Sequence, residues 1–599
     1  MDRRTALTGR RSALLLLALV LASCAPVPPQ LAAPPTRTAP SGSALPEAAA
    51  ARPVALPAQG IAVTAHPLAT QAALQMLAAG GSAVDATVAA QMVLGLVEPQ
   101  SSGPGGGSLM MVWQHDGRRL TSYDGLSSAP ALTTASLRTD VDGRQLPADA
   151  VSRGGRSVGV PGTLAVMELA HRRHGRLPWA RLFEPAIRLA ETGYPLAPYV
   201  HAILARDPGA RQHPEFRADW FDASGRVHPV GTLLRNPDYA RALRQIADGG
   251  VQAYWRGGGA KRVAEAARRG EHASLMTADD VAGYQPRERE PLCAPVRVWR
   301  ICMVGPPSFG GVAVLQMLQL LDARLGAAIT PASLDDPAFW HLYVEAGRLA
   351  QADRRFWVGD PDLAAVPAAE LVAPAYVRQR ARLIDATQAL PRIGHGDPAA
   401  APQAVGQAPD DDSRVAADTS QLVVADAQGN VVSTTTTINL NFGARLRVDG
   451  YVLNNALTNF GPAPLRGQTI ANQMAPGKRP VTSMSPLVVL DQQGQVLLAG
   501  GSAGGGQIVD YIAQNLVEML WLERSPAQAL ADGHVSTALA PTVQLEAGTP
   551  RAALADALRA RGHAVTVEPL LSGAGFIRRR GDRWEGAADP RRDGSAASP

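Results

Sequence analysis

The sequence predicts an α+β fold in which buried sheets are covered by helices. Residues 422–437 predict a β-hairpin, because two β-prone runs flank a polar turn that contains glycine. Residues 487–490 and 496–499 are apolar on both faces, which is typical of strands sandwiched between two layers. Residues 66–107 carry apolar side chains at helical spacing. Helices and buried strands are therefore expected in the same chain.

The composition is that of a globular protein with a large core, since 46% of the 599 residues are hydrophobic and 18% are charged. The net charge is +5 and no basic block occurs beyond the first residues, so nucleic-acid binding has no support. The 3 cysteines lack a C-x-x-C motif and provide no metal framework. His171 and His174 leave a metal pair open, but a solvated helix face is the favoured interpretation. We expect no metal and no other cofactor.

The first residues are typical of an export signal. Four arginines precede the apolar run 13–22, which is too short to span a membrane. The run ends in Leu21-Ala22-Ser23-Cys24, which resembles a bacterial lipobox and predicts removal of residues 1–23 and a lipid on Cys24. An ordinary signal peptide with a chance cysteine is the alternative. The arginine pairs also leave twin-arginine export open.

Residues 24–56 predict a semi-extended tether, because they are rich in proline and alanine and cannot bury a core. No later apolar run is long enough to cross a bilayer. The sequence thus predicts an exported, periplasmic lipoprotein that meets the membrane only through its lipid anchor.

Residues 66–107 predict two helices and then a glycine-rich loop. Gly80-Gly81 ends the first helix, and Ser82-x-x-Asp85 resembles the capping box that begins the second. The loop that ends at Gly107 invites a phosphate-binding interpretation. We reject that interpretation, because the loop lacks a Lys-Ser/Thr ending and leads into a strand at 109–113.

The stretch 418–443 carries the most specific pattern of the chain. Its threonine run alone would predict no more than a solvated β-strand. In full, the stretch resembles the signature of the γ-glutamyltransferase (γ-glutamyl transpeptidase) family of N-terminal-nucleophile hydrolases, in which a Thr-Ser/Thr start and a Gly-Asn turn precede Val-Ser-x-Thr-x-Thr-Ile-Asn and Phe-Gly. Gln421 and Val423 depart from it, since the family usually has His and Ser or Thr there. The resemblance covers roughly residues 59–592.

The resemblance implies a precursor that cuts itself between Asp418 and Thr419. A threonine hydroxyl is a weak nucleophile until a base takes its proton. The free α-amine that cleavage creates, with a pKa of about 7.7–8.0, is such a base. The implied fold is a four-layer αββα sandwich, in which a large chain of residues 57–418 and a small catalytic chain of residues 419–599 interlock as one unit.

Six further residues match family positions, and the resemblance implies their roles. By resemblance, Thr437 would hydrogen-bond the nucleophile and Asn439 would contact the substrate. Gly504 and Gly505 would form the oxyanion hole, and Thr482 and Ser483 would contact the substrate carboxylate. The glycine-rich turn 500–506 leads into a predicted helix, and N–H groups at such a helix start suit an oxyanion. A plain structural turn is the alternative for the last four residues.

Three positions depart from the family pattern where the substrate would be gripped. Leu126 stands where an Asp-x-Arg segment has the arginine that grips the α-carboxylate. Ala456 and Asn459 stand where a Glu or Gln and an Asp grip the α-amine. Each such bond is worth about 1.5–3 kcal/mol, so the losses cost on the order of a hundredfold to ten-thousandfold in selectivity for a zwitterionic glutamyl end. Arg118 or Arg119 is a candidate substitute from a nearby turn.

The leading prediction is a γ-glutamyltransferase or glutathione hydrolase of this family, which transfers the acyl group of a γ-glutamyl amide to Thr419 and then to water or an amine. The first alternative is an amidase or acylase with the same machinery, acting on acyl groups without the amino-acid end, such as glutaryl groups. The second is a lipid-anchored binding protein with an inactive site, against which the retained Thr419, Thr437 and Asn439 argue. The expected partners are small-molecule amides and the two chains of one heterodimer.

Cys293 and Cys302 are predicted to form a disulfide in an oxidising compartment. Residues 292–296 and 299–304 predict two strands joined by the two-residue turn 297–298. That register makes the two cysteines a non-hydrogen-bonded pair with Cα atoms about 4.5 Å apart, a span that a disulfide accepts. The loop is short, so the bridge should stabilise the protein by about 2 kcal/mol. Two buried free thiols are the alternative.

Overall fold

Two antiparallel sheets lie face to face at the centre of the protein. The computed structural model describes residues 60–134, 137–139, 142, 144–270, 272–326, 329–399, 418–461 and 470–599. The predicted signal segment 1–23, Cys24 and the tether 24–56 lie outside these residues. The strands of the two sheets, in chain order, are β1 (Ile61–Thr64), β2 (Gly107–Gln114), β3 (Arg119–Gly125), β4 (Arg287–Arg289), β5 (Leu292–Val296), β6 (Trp299–Met303), β7 (Ser420–Ala425), β8 (Val431–Thr437), β9 (Leu487–Leu490), β10 (Val496–Gly501), β11 (Gly575–Arg580), β12 (Arg583–Ala588) and β13 (Ser595–Ala597).

The first sheet has the order β13-β1-β7-β8-β2-β3-β4, and the second has the order β12-β11-β10-β9-β6-β5. The predicted hairpin is confirmed at the centre of the first sheet, where Ser420 of β7 pairs with Thr436 of β8. Its turn is held by the Asp426 carboxylate, which accepts from the backbone N–H groups of Gln428 and Asn430. The apolar strands β9 and β10 are confirmed inside the second sheet, so the alternating and apolar patterns both predicted strands correctly.

Helices cover the outer face of each sheet. The predicted capping box is confirmed, because the side chain of Ser82 accepts from the N–H of Asp85 while the Asp85 carboxylate accepts from the N–H of Ser82. The helices are α1 (Pro67–Ala78), α2 (Ala83–Val97), α3 (Ala148–Ser152), α4 (Thr163–His174), α5 (Glu184–Thr192), α6 (Pro198–Arg206), α7 (Pro208–Gln212), α8 (Pro214–Trp220), α9 (Pro237–Tyr254), α10 (Ala260–Ala267), α11 (Ala278–Ala282), α12 (Gly310–Leu325), α13 (Pro337–Trp357), α14 (Ala368–Leu371), α15 (Pro374–Ala381), α16 (Ile508–Leu516), α17 (Pro526–Ala531) and α18 (Ala555–Ala560).

Short elements connect these layers. Short strands outside the two sheets are Tyr194–Pro195, Leu233–Leu234, Arg447–Val448, Tyr451–Val452, Val535–Ser536, Thr542–Glu546 and Ala564–Glu568. Short 3₁₀ or π turns lie at Gly155–Ser157, Trp179–Phe183, Trp255–Gly259, Pro331–Asp335, Ala456–Asn459, Gly505–Gln507, Val517–Trp521 and Pro550–Leu554.

Three apolar clusters bind four layers together. The first lies between the first sheet and helices that include α2, every residue of which is buried. The second lies between the second sheet and α12, α13 and α16. The third lies between the two sheets and includes Val423, Val488 and Ile577. One cluster thus lies between each pair of adjacent layers, in the order α, β, β, α. The predicted αββα sandwich is confirmed. No helix in the described part of the chain combines the length and the apolar character that a bilayer span requires.

The cysteine hairpin has the predicted register. Strands β5 and β6 pair Cys293 with Cys302, and Val296 with Trp299 beside the turn. The two sulfur atoms are bonded and the Cα atoms are 4.0 Å apart. Arg297 takes a left-handed φ of 52° in the turn, which explains how a two-residue turn forms without glycine or asparagine. The alternative of two free thiols is therefore not what the structure contains.

His171 and His174 do not form a solvated helix face. Both are only partly exposed, His171 Nε2 lies 2.9 Å from the carbonyl oxygen of Leu177, and His174 Nε2 lies 2.6 Å from the hydroxyl of Tyr123. The favoured interpretation is wrong because α4 packs against β3, which covers this end of the helix. The two rings contact different partners, and the residues that the structure describes contain no group of three or more His, Cys, Asp or Glu side chains placed to hold a metal ion.

Candidate active site

Thr419 and Thr437 meet at the open end of the central hairpin. Thr419 immediately precedes β7 and Thr437 is the last residue of β8, so the register that pairs Ser420 with Thr436 brings the two hydroxyl oxygens to 3.4 Å. Thr419 is 3% exposed, and Thr434, Thr435 and Thr436 are buried. The solvated-strand interpretation of the threonine run is therefore wrong, because α2 covers one face of β8 and the second sheet covers the other.

Two hydroxyl groups contact the peptide bond between Asp418 and Thr419. The Thr419 hydroxyl donates to the Asp418 carbonyl oxygen at 2.6 Å, and the Thr437 hydroxyl donates to the same oxygen at 2.8 Å. The backbone N–H of Asn439 donates to the Thr437 oxygen at 2.8 Å. A hydroxyl thus lies beside the carbonyl that it would attack, and a second hydroxyl is placed to stabilise negative charge on the carbonyl oxygen.

A buried ion pair fixes the residue before this bond. Arg592 Nη1 donates to Asp418 Oδ1 at 2.8 Å and to the carbonyl oxygen of Thr419 at 2.9 Å. Asp418 Oδ1 also accepts from the Thr419 N–H at 3.0 Å. Burial raises the pKa of Asp418, and Arg592 acts against this rise. Sequence reasoning missed Arg592, because its partner lies 174 residues away and no local pattern links them.

The segment after α2 contacts the same bond. The Ser101 hydroxyl donates to Asp418 Oδ1 at 2.8 Å, and the Ser102 hydroxyl donates to the hydroxyl of Ser420 at 3.0 Å. Ser420 in turn donates to Glu98 Oε2 at 2.7 Å. Sequence reasoning did not identify the serines of this segment or Glu98 as neighbours of Thr419.

Gly504 and Gly505 form a turn that only glycine fits comfortably. Their φ angles are 132° and 61°, and a Cβ on Gly504 would lie 2.5 Å from the ring of Tyr511. The hydroxyl of Ser483 donates to the Gly505 carbonyl oxygen at 2.7 Å. Thr482 lies beside Ser483 and is also buried. The structure therefore brings Ser483, a predicted carboxylate contact, to Gly505, a predicted oxyanion residue.

A shared segment links the glycine turn to the region of Asp418 and Thr419. The carbonyl oxygen of Gly573 accepts from the N–H of Ala503 at 3.1 Å. The neighbouring Ser572 carbonyl oxygen accepts from Arg592 Nε at 3.0 Å. Arg592 therefore bridges between Asp418 and the segment that supports the turn.

Asn439 and Asn459 lie on one side of the site. Asn439 has a φ of 80°, and its side-chain amide donates to the Asn455 carbonyl oxygen at 3.1 Å and to the Thr458 hydroxyl at 2.8 Å. Asn459 is buried, and its side-chain oxygen finds no hydrogen-bond partner among the described residues. Ala456 begins the short 3₁₀ turn that ends at Asn459.

Leu126 belongs to the apolar cluster between the two sheets and is 5% exposed. The suggestion that Arg118 or Arg119 replaces the missing arginine is wrong. These residues precede Leu126 along the whole length of β3, which places them more than about 20 Å away at about 3.4 Å per residue. Arg118 instead donates to the carbonyl oxygen of Gln493 at 3.2 Å.

The arginines that do approach this region are already paired. Asp124 Oδ2 accepts from Arg289 Nε at 2.8 Å and from Arg479 Nη1 at 2.6 Å. The guanidinium of Arg289 is also bonded to both carboxylate oxygens of Asp362, each at 2.9 Å. A nearby cavity of about 680 Å³ is lined by Ser128, Tyr284 and Arg479 among others, and Thr419 is not among its lining residues.

A four-layer αββα sandwich with a threonine poised at the start of a central strand defines the N-terminal-nucleophile hydrolase class. Residues 69–598 match the family model described as Gamma-glutamyltranspeptidase. The chain belongs to the γ-glutamyltranspeptidase family, and it is a self-processing enzyme of that family.

Relatives include both hydrolases and acylases. The chain is 32% identical over 554 residues to a glutathione hydrolase proenzyme of Bacillus subtilis (strain 168), covering 90% of this chain and 91% of the relative. It is 35% identical over 534 residues to the Acylase ACY 1 proenzyme of Pseudomonas sp. (strain SE83), covering 86% and 88%.

Solved structures show the same division. A cephalosporin acylase from Bacillus halodurans superposes with a TM-score of 0.75 at 25% identity, covering 93% of this chain and 98% of the other. The γ-glutamyltranspeptidase of Helicobacter pylori superposes with a TM-score of 0.51 at 29% identity, covering 57% of this chain and 93% of the other.

Proposed function

We propose that the chain cuts itself between Asp418 and Thr419, and that Thr419 then transfers acyl groups from amides to water or to amines. The observation that carries this proposal is the Thr419 hydroxyl, 2.6 Å from the Asp418 carbonyl oxygen and beside the Thr437 hydroxyl. The large and small chains, 57–418 and 419–599, would remain interlocked, because β7 lies between β1 and β8 in one sheet.

Each residue has a step in this proposal. Cleavage would free the α-amine of Thr419, which takes the hydroxyl proton as the oxygen attacks the substrate carbonyl. The N–H groups of Gly504 and Gly505 would bind the oxyanion of the tetrahedral intermediate. The amine leaves with the proton and an ester on Thr419 remains, which water or a second amine then attacks to release the acyl group and restore the hydroxyl.

The acyl group has two candidate forms. The leading one is a γ-glutamyl group, in line with the glutathione hydrolase names of several relatives. The second is a dicarboxylic acyl group such as glutaryl, which lacks the α-amine and is favoured by Ala456 and Asn459 at the positions where the family grips that amine. Thr482 and Ser483 would bind the distal carboxylate in either case, and Asn459 would meet the α-amine only as a neutral acceptor.

We expect the wild-type enzyme to favour γ-glutamyl over glutaryl anilides by less than about tenfold in kcat/KM, because the charge-assisted contacts to the α-amine, which only the γ-glutamyl group carries, are missing. Side-by-side progress curves at 405 nm with the two p-nitroanilides measure this ratio. Asn459→Asp should raise γ-glutamyl turnover, whereas Leu126→Arg would bury a charge in the inter-sheet cluster and is expected to destabilise the fold. Efficient turnover of glutathione at low KM would show that other residues grip the amino-acid end.

We further propose that the protein is exported and held at the membrane by a lipid on Cys24, as its lipobox predicts. Radiolabelled palmitate fed to the producing bacterium should label the wild type and leave Cys24→Ser unlabelled, since the thiol is the acceptor. Equal labelling of the two proteins would refute the anchor, and an unlabelled, secreted wild type would favour an ordinary signal peptide.

A further inference from the structure

The segment Glu98–Ser102, which directly follows α2, forms a tight turn against the scissile bond. The Glu98 carbonyl oxygen accepts from the N–H groups of Ser101 and Ser102 at 3.0 and 3.3 Å. The Ser101 carbonyl oxygen accepts from the N–H of Ile438 at 2.9 Å, which ties the turn to the residue after Thr437. The turn is buried throughout, so its polar groups are committed to the site.

This turn holds the residues on both sides of Thr419. On one side, the Ser101 hydroxyl donates to Asp418 Oδ1 at 2.8 Å. On the other side, Ser420 is held twice, because its hydroxyl accepts from Ser102 at 3.0 Å and donates to Glu98 at 2.7 Å. The turn therefore fixes the chain before and after the bond that is cut, while the Thr419 hydroxyl is bonded to Asp418 and Thr437.

We propose that the turn 98–102 is a clamp for self-cleavage and that Glu98 is its positioning residue, acting through Ser420. This inference rests on the proposed cleavage between Asp418 and Thr419. In this proposal Glu98 acts without contacting the reacting atoms, and its role is confined to the single self-cleavage reaction of the precursor.

The surroundings of Glu98 favour the neutral carboxyl group. Glu98 is 1% exposed, and its Oε1 has no hydrogen-bond partner in the described part of the chain. Burial raises the pKa of Glu98 to about 8, with a further rise from Asp418 and Asp593, while Arg592 acts in the opposite direction. Tyr199 is a further titratable neighbour, and burial raises its pKa so that it stays neutral in this range.

The charge of Glu98 also acts on Arg592, since the guanidinium lowers the pKa of that carboxyl group. Below a pH of about 8, Glu98 is neutral and the guanidinium pairs with Asp418 and the Thr419 carbonyl oxygen. Above that pH, an ionised Glu98 competes for the guanidinium, which loosens the scissile bond. The clamp is therefore fully formed below the raised pKa and is lost as the pH rises through it.

The test measures the first-order rate of self-cleavage of freshly translated full-length precursor between pH 6.5 and 9.5. Glu98→Gln keeps a neutral side chain that accepts from Ser420, so it should match the wild type at pH 6.5 and be about tenfold faster than the wild type at pH 9. Glu98→Ala loses the acceptor and should be slower by about fivefold across the whole range. Glu518→Gln is the matched control, because Glu518 is a second buried glutamate whose pKa burial raises to about 8, outside this site, and it should follow the wild-type profile.

Identical pH profiles for the wild type and Glu98→Gln, or wild-type rates for Glu98→Ala, would overturn the clamp. If circular dichroism shows that Glu98→Gln does not fold, Ser102→Ala is measured in its place. A self-cleavage rate about fivefold below that of the wild type supports the clamp, and an unchanged rate overturns it. Mass spectrometry of the products separates the two levels of the proposal. A wild-type chain that is never cut before Thr419 removes the proposed function itself, whereas correct cutting without any Glu98 effect removes only the clamp.

Discussion

The Thr419→Ala variant is expected to remain a single uncut chain and to lose at least about ten-thousandfold in acyl-transfer activity, because both the cleavage and the later reaction use the same hydroxyl. The rest of the site should be undisturbed. The alanine variant keeps the backbone of residue 419, whose carbonyl oxygen accepts from Arg592 and whose N–H donates to Asp418, so the ion pair of Arg592 and Asp418 should remain. A denaturing gel of the purified protein reports the cleavage, and hydrolysis of a glutaryl or γ-glutamyl anilide reports the activity.

Thr419→Ser is the matched control for this variant. It keeps a hydroxyl at the same position and should still cut itself and turn over substrate, with a rate reduced by far less than for the alanine variant. Normal processing or normal turnover by Thr419→Ala would exclude this threonine as the nucleophile.

Gly504→Ala should lower kcat by about a hundredfold to a thousandfold with little change in KM, because a donor to the oxyanion is displaced. The cause is steric as well as conformational. The backbone of Gly504 has a φ of 132°, and the added Cβ would lie 2.5 Å from the Tyr511 ring, so the turn must move. The measurement is steady-state kinetics on chains that have already been cut, which separates this effect from processing.

Gly494→Ala is the control for backbone strain alone. Gly494 also has a positive φ, of 68°, but its added Cβ would meet no atom within 4 Å. It lies in the turn between β9 and β10 and should cost some stability while leaving kcat within a few fold. A Gly504→Ala enzyme with kcat as high as this control would mean that the glycine turn is structural and does not form the oxyanion hole.

Local patterns predicted the parts of the fold that local physics determines. The hairpin of β7 and β8, the apolar strands β9 and β10, and the capping box at Ser82 all follow from side-chain periodicity and turn chemistry. The cysteine pair was predictable because a two-residue turn sets the register of both strands. The order of the thirteen strands in the two sheets was not predicted, since non-local pairing leaves no local signal, and the family resemblance implied only the αββα layers.

The hairpin residues of the site were predictable from the sequence, whereas its charged residues were not. Thr419, Thr437 and Asn439 lie in one continuous motif, whereas Glu98 and Arg592 reach Asp418 and Ser420 from distant parts of the chain. The Arg118 proposal failed for a simpler reason. Closeness in sequence is not closeness in space when an extended strand separates two residues, and β3 carries Leu126 to the opposite end of the sheet from Arg118.

Intact-mass spectrometry of the purified wild-type protein tests the central claim most directly. We expect two chains, the smaller having the mass of residues 419–599 with a free N-terminal threonine. After a brief incubation with an acyl donor, that chain should gain the mass of one acyl group. A single uncut chain, or a small chain that begins at any other residue, would contradict self-cleavage between Asp418 and Thr419.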